Sequence, residues 1–175
     1  SVANHINDIS KDHPRYTLEL LAEWKKNAPE VHRQKIEWIT RHALRGLIKA
    51  GDPLALELIG ASKNVQIEFL DFKLVRKTVR LNEDLEFSFE LKSLAKKSET
   101  LIVDYIVHYV KANQKTAPKV FKLKTVVLEG QAAMVIAKRH VMRKVTTRVF
   151  YPGKHSVEVQ INGRSYGRAD WVLKL

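Results

Sequence analysis

The sequence predicts an α + β protein of two domains: an α-solenoid fragment over residues 1–62, then an antiparallel β-sandwich over residues 65–175. Three observations carry this. Apolar residues recur at helical spacing up to residue 62, and from about Val65 they alternate with polar ones. The helical part repeats itself at an offset of 38 residues. The remainder breaks into short strand-like runs separated by turn residues.

In the first helix Val2, Ile6 and Ile9 share a side, and "KDHP" ends it, because a residue before Pro is pushed out of the helical region. "PRYTLELLAEWKKN" reads as a second helix with Pro14 in its first turn. "EVHRQKIEWITRHALRGLIKAG" reads as one longer run, open to a break near Arg33, with Gly51 as its C-terminal cap. "DPLALELIGA" is a short last helix capped by Asp52, with Pro53 following. At the 38-residue offset Ile6 falls on Leu44, Ile9 on Leu47, and Leu18, Leu20 and Leu21 on Leu56, Leu58 and Ile59. Two helix-turn-helix units at this period imply a solenoid of the HEAT or armadillo kind. Such stacks need about three or more repeats. The expectation is therefore that further repeats precede Ser1, and that the chain is a fragment or a processed product.

The second part reads as "VQIEFLDFKLV", "KTVRL", "LEFSFELKS", "TLIVDYIVHYVKA", "KVFKLKTVVL", "AAMVIAKRHV", "TTRVFY" and "HSVEVQINGRSYGRADWVLKL". Phe87, Phe89 and Leu91 alternate with Glu86, Ser88 and Glu90, and Asn162-Gly163 is a two-residue hairpin turn. Seven or eight short antiparallel strands in about 110 residues imply an immunoglobulin-like sandwich.

The net charge of +12 is uneven. Residues 1–64 hold ten Lys/Arg against eight Asp/Glu, and residues 65–175 hold twenty-one against eleven. Such an excess points to a polyanionic partner, most often nucleic acid, bound through phosphate neutralisation. The absence of Cys excludes disulfides, thiolate metal sites and a Cys nucleophile, and suits a reducing cytoplasm. No apolar run approaches the roughly 20 residues that span a bilayer, and no signal peptide is visible. The seven His show no metal spacing, and there is no P-loop, GxGxxG or GxSxG. No metal or small-molecule cofactor is therefore expected. His108, in an apolar strand, reads as a satisfied core histidine.

On the first helix Asn4, Asn7, Asp8 and Lys11 cluster away from the apolar side. In an isolated helix this would be a solvated face. The equivalent face of the next unit, however, carries Trp38, Arg41, His42, Arg45 and Lys49, a basic stripe with one large aromatic. Cations at this spacing can follow a phosphate backbone, beside which Asp8 needs a cationic partner. In the sandwich, "KANQKTAPK" carries Lys111, Lys115 and Lys119. "AKRHVMRKVTTR" carries Lys138, Arg139, His140, Arg143, Lys144 and Arg148. Any single Lys is adequately explained as a solubilising residue, whereas the Arg-rich segment suits bidentate phosphate contacts.

"SVANHINDISKDHP" with "WITRHALRGLIKAGDPLALELIG" resembles the last HEAT-like repeats of bacterial DNA alkylation repair proteins of the AlkC branch, in the AlkC/AlkD superfamily of alkylpurine DNA glycosylases. "TTRVFYPGKHSVEVQINGR" is similar to the ending of the immunoglobulin-like domain that this branch carries. The resemblance spans essentially the whole chain. It implies a metal-free, monomeric cytoplasmic enzyme that excises N-alkylated bases of the 3-methyladenine type from duplex DNA. It also implies roles. Asp8, at the acidic position of the "NHxND" helix, would stabilise an oxocarbenium-like sugar and position water. Asn4 would make a polar contact beside the lesion. Arg41, His42 and Arg45, in "RHALR", would meet phosphates or support the site, and other site members would precede Ser1. From another class, the chain could be a non-catalytic adaptor that binds nucleic acid or protein.

Overall fold

The computed structural model describes residues 1–143 and 149–175. The chain divides into two compact units, Ser1–Asn64 and Val65–Leu175.

The first unit holds helices α1 (Val2–Asp12), α2 (Pro14–Asn27), α3 (Arg33–Ala43), α4 (Arg45–Ala50) and α5 (Pro53–Leu58), with a 3-10 turn over Glu30–His32. The long run read as one helix is thus two, because the chain also turns at Leu44 (φ −88°, ψ 6°). Ala43 and Leu44, on either side of that boundary, are both fully buried. Pro14 occupies the first turn of α2. Gly51, at φ 76°, closes α4 in the left-handed conformation. Asp52 Oδ1 accepts the Ala55 N–H at 2.8 Å and caps α5. Burial recurs at the 38-residue offset. Ile6 and Leu44 are buried, as are Leu18 and Leu56, and Leu21 and Ile59, while Ile9 and Leu47 are half-buried.

The second unit has strands β1 (Ile67–Leu74), β2 (Thr78–Arg80), β3 (Asp84–Ser93), β4 (Glu99–Val110), β5 (Thr116–Leu128), β6 (Ala133–Val141), β7 (Gly153–Ile161) and β8 (Arg164–Lys174). They form a three-stranded sheet, β1-β3-β6, and a five-stranded sheet, β2-β8-β7-β4-β5. One pair, β2 with β8, is parallel, so the sandwich is not wholly antiparallel as expected. The expected strand "TTRVFY" begins outside the described residues, and residues 149–151 lie in no strand. Phe87, Phe89 and Leu91 from one sheet meet Leu101, Val103, Val157, Val159 and Trp171 from the other in the core. The Asn162-Gly163 turn has both residues at positive φ (45° and 78°), as a hairpin of this hand requires. Asn162 Oδ1 also accepts the Ile102 N–H at 2.7 Å, which ties the turn to β4.

Two histidines are integral to the sandwich. His140 sits between the hydroxyls of Tyr105 (2.9 Å, at Nδ1) and Tyr109 (2.8 Å, at Nε2). Burial, with the neighbouring Tyr109, pushes the Tyr105 phenol up to about 12, which keeps it a neutral hydrogen-bonding group. His155 accepts the Val110 N–H at Nδ1 (3.3 Å), donates from Nε2 to Tyr151 O (3.0 Å), and stacks on Trp171. That pattern fixes a neutral imidazole.

Candidate nucleic-acid interface

The α1 face separates into two layers. Ala3, Ile6, Asn7 and Ser10 point into the helical unit, and Asn4 and Asp8 point out. Asn7 therefore leaves the polar face assigned to it, and Val2, expected inside, is 57% exposed. The cause is an apolar stripe set by Ala3 and Ile6, one residue round from the one Val2 suggested. Asn7 is buried with Gly46 of α4 beside it. A Cβ there would stand 3.8 Å from Asn7 Oδ1, an atom with no hydrogen-bond partner among the described residues.

On the outward layer, Asn4 Oδ1 accepts from Arg45 Nη1 at 3.1 Å, which joins α1 to α4 across 41 residues. Asp8 Oδ1 meets Lys11 Nζ at 2.8 Å, with both side chains about two-thirds exposed. The Lys11 hydrogen bond, then its charge and those of Arg45 and His5, hold the Asp8 carboxyl below the usual range. The cationic partner that Asp8 needs is thus Lys11. Trp38, 52% exposed, stacks on His42 with ring centroids 3.9 Å apart. His42 Nδ1 donates to Trp38 O at 2.9 Å, which leaves Nε2 directed away from that contact. Arg41 is engaged elsewhere: Nη2 donates to Ile59 O at 3.1 Å, while Lys25 Nζ donates to Leu58 O. These cations meet carbonyls at the C-terminal end of α5, where positive charge is favoured.

In the sandwich, Lys111 and Lys115 flank the exposed tip between β4 and β5, closed by the Lys111 N–H to Lys115 O bond of 2.8 Å. Lys119 lies 5.4 Å from the Phe121 ring centroid, and Lys138 lies 5.8 Å from that of Tyr105. Arg139 faces outward from the three-stranded sheet and is paired with Asp84 (2.7 Å) and Glu86 (3.9 Å). It is thus already neutralised. Arg143 is exposed just after β6, and Lys144 and Arg148 lie outside the described residues. His108 Nε2 pairs with Glu158 Oε2 at 2.8 Å and is half-buried, not a core residue. Burial raises the Glu158 carboxyl, but bonds from Ser165 and His108 and the charges of His108 and Arg168 leave it lowered.

Two cations have no counterpart in the sequence reading. Lys154 and Arg168, with Thr116, Ser156 and Asp170, line a shallow depression beside the β4–β5 tip. Lys154 pairs with Asp170 at 2.7 Å, and Arg168 Nε donates to Ser156 Oγ at 2.9 Å. They lie on β7 and β8, far in sequence from Lys111 and Lys115, and only strand order reveals their proximity. Among the described residues, no group of three or more acidic or imidazole side chains could hold a metal ion, and no helix is long and apolar enough to cross a membrane.

The fold and the charged surfaces define a class: an immunoglobulin-like sandwich with basic loops, joined to a helical unit that presents a polar and cationic face. Residues 68–175 match the family described as "Uncharacterised protein YhaZ, C-terminal Ig-like domain", and the chain belongs to that family. It is 33% identical over 173 residues to the uncharacterised protein YhaZ of Bacillus subtilis (strain 168), covering 99% of this chain and 46% of that protein. It is also similar to the alkylpurine DNA glycosylase AlkC of Pseudomonas fluorescens, solved bound to DNA containing an abasic site analog. There the TM-score is 0.90 and the identity 39%, over 99% of this chain and 47% of that one. A β-glucosidase from Erythrobacter marinus shares the fold alone, with a TM-score of 0.54 and 12% identity over 63% of this chain and 16% of that one. The chain spans about half the length of YhaZ and of AlkC.

Proposed function

We propose that the chain forms the C-terminal half of a DNA glycosylase that removes N-alkylated bases of the 3-methyladenine type from duplex DNA. One observation carries the reading. An exposed, ionised carboxylate, Asp8, stands one turn from the Asn4–Arg45 pair, in a chain 39% identical over 99% of its length to a DNA-bound alkylpurine glycosylase.

The chemistry needs little more than that. An alkylated base carries positive charge and leaves with the electron pair of its glycosidic bond. The sugar becomes oxocarbenium-like, and water adds at its anomeric carbon, losing a proton. A carboxylate aimed at that carbon stabilises the cation and orients the water. Lys11 keeps Asp8 ionised throughout the neutral range. Asn4, held by Arg45, supplies a polar contact beside the lesion, and Arg45 and His42 bear on phosphates. Trp38 offers an apolar surface to the duplex. Lys111, Lys115 and Lys119, with Lys154, grip the backbone from the sandwich. The helical unit is the end of a HEAT-like solenoid whose earlier repeats complete the site. The reaction takes place on DNA in the cytosol and draws on no cofactor.

The test is release of 3-methyladenine from methylated duplex DNA. A protein of the relatives' full length that contains this chain is expected to turn over, and the 175-residue chain alone is expected to release almost nothing. Salt-sensitive DNA binding by the longer protein, with no base released, would replace the glycosylase with the adaptor reading.

A further inference from the structure

Four strand edges bound the two sheets, and three of them are blunted. The β1 edge is broken by a register shift between Leu70 and Lys73, with Asp71 at φ 52°. The β2 edge is three residues long. The β5 edge carries Pro118, Lys119, Lys122 and Lys124, and is bulged opposite Val103 and Asp104. These are the usual devices against strand-to-strand association. The fourth edge, β6, has none of them across Ala133–Met134–Val135–Ile136–Ala137. It runs in unbroken register with β3 from Lys92↔Ala133 to Asp84↔Val141.

The backbone of β6 shows which of its groups are open. Ser93 and Asn82 donate to the carbonyls of Ala132 and Met142, and Met142 donates to Glu83 O. Even-numbered residues therefore bond to β3. The N–H and C=O of Ala133, Val135, Ala137 and Arg139 turn to the other side. Among the described residues, no backbone bond reaches them there. Val135 is 70% exposed and Val141 47%.

We propose, in place of the monomer expected from the sequence, that this edge pairs with the same edge of a second copy, antiparallel, about a two-fold axis at Ala137. Charge and register both favour a copy of this chain as the occupant. The chain carries +12, yet the outer face of the three-stranded sheet sets Glu68, Asp84, Glu86 and Glu90 against Lys73, Lys92 and Arg139. Two copies can thus approach there without the repulsion their basic loops would impose. Centring on Ala137 pairs the whole strand. Ala133 then lies opposite Val141 of the second copy, and Val135 opposite its Arg139. Beyond Val135 on the same sheet lies Glu90, its register partner, which has no ion pair among the described residues. Arg139 of each copy, held by its own Asp84 and more loosely by Glu86, therefore stands between these and Glu90 of the other, across Val135. The contact is isologous and closes on itself.

Sedimentation velocity on the 175-residue chain at rising concentration tests this. The expected result is a shift from monomer toward twice the monomer mass, with hydrogen-exchange protection at the amides of residues 133, 135, 137 and 139 growing as the dimer fills. V135K, at an exposed position, should keep the native circular dichroism and remain monomeric. R139E should weaken the dimer at least tenfold, and R139E combined with E90R should restore it. A chain that stays monomeric up to its solubility limit overturns the proposal. So does a dimer that V135K leaves intact, or one that leaves those four amides unprotected.

Discussion

Asp8 is the residue on which the proposed chemistry turns. Asp8→Asn in the full-length protein should cut base release by about 10²–10³, the usual cost of removing one preorganised electrostatic group. DNA affinity should hold or rise slightly, because a carboxylate has left a cationic face. Release within threefold of wild type would reduce Asp8 to a surface residue. The polar character of Asn4 and Asp8 was legible from helical spacing, but the inward turn of Asn7 was not, because it depends on how α1 packs against α3 and α4, which helical spacing alone does not fix. His155 gives a prediction of another kind. Burial holds its imidazole below the ordinary 6.5, against the smaller opposing pull of the Tyr151 carbonyl. The unfolded chain takes up a proton as pH falls below about 6.5, and the folded chain resists. Sandwich stability should therefore be full above that pH and decline below it. Urea melts at pH 7.5 and 5.5 should show the loss, and His155→Phe should flatten the dependence while lowering stability at both.

Helices and strands were mostly legible as elements, because period, Pro14, Gly51, Asp52 and Asn162-Gly163 each state a local rule. The break at Leu44 was not, since nothing in "RHALRG" forbids a continuous helix. The parallel pairing of β2 was equally hidden, because three residues of alternating pattern carry no direction. The cap on α5 permits a test at this scale. The helix is only six residues long, and the Asp52 carboxylate satisfies one of its orphan N–H groups. Asp52→Ala should cost about 1 kcal/mol of helical-unit stability, and Asp52→Asn much less. Denaturation followed by far-ultraviolet circular dichroism measures it, and equal losses in the two variants would discount the cap.

Across the whole molecule, the sequence showed a charge excess but not its geometry. Arg139, prominent in a basic run, is held by Asp84 and Glu86, and Lys154, itself paired with Asp170, joins the hairpin lysines through strand order. The backbone of Gly153 lies beside Gln114 and Val110, which brings Lys154 to the β4–β5 tip. Changing Lys111, Lys115 and Lys154 together to Ala should weaken duplex binding by the chain without regard to sequence. It should also lower the slope of log affinity against log salt by up to about 3, roughly one for each phosphate no longer neutralised. Fluorescence anisotropy over a salt series measures both. An unchanged slope would move the phosphate-binding role to the Arg143–Arg148 segment.

The place of β8 bears on how the molecule is made. β8 supplies Trp171 and Leu173 to the core, is the sheet partner of β2 among the described residues, and at Gly167 lets the Phe69 ring of β1 lie where a side chain would otherwise stand. The second strand of the sandwich thus finds its sheet partner only in the last. During synthesis, β1 can pair with β3 as soon as that strand emerges, but β2 must wait for some ninety residues of intervening chain before its partner strand is made. A ribosome that stalls before β8 leaves a sandwich that cannot shut, with the aromatic residues of β1 and β3 open to chaperones and proteases.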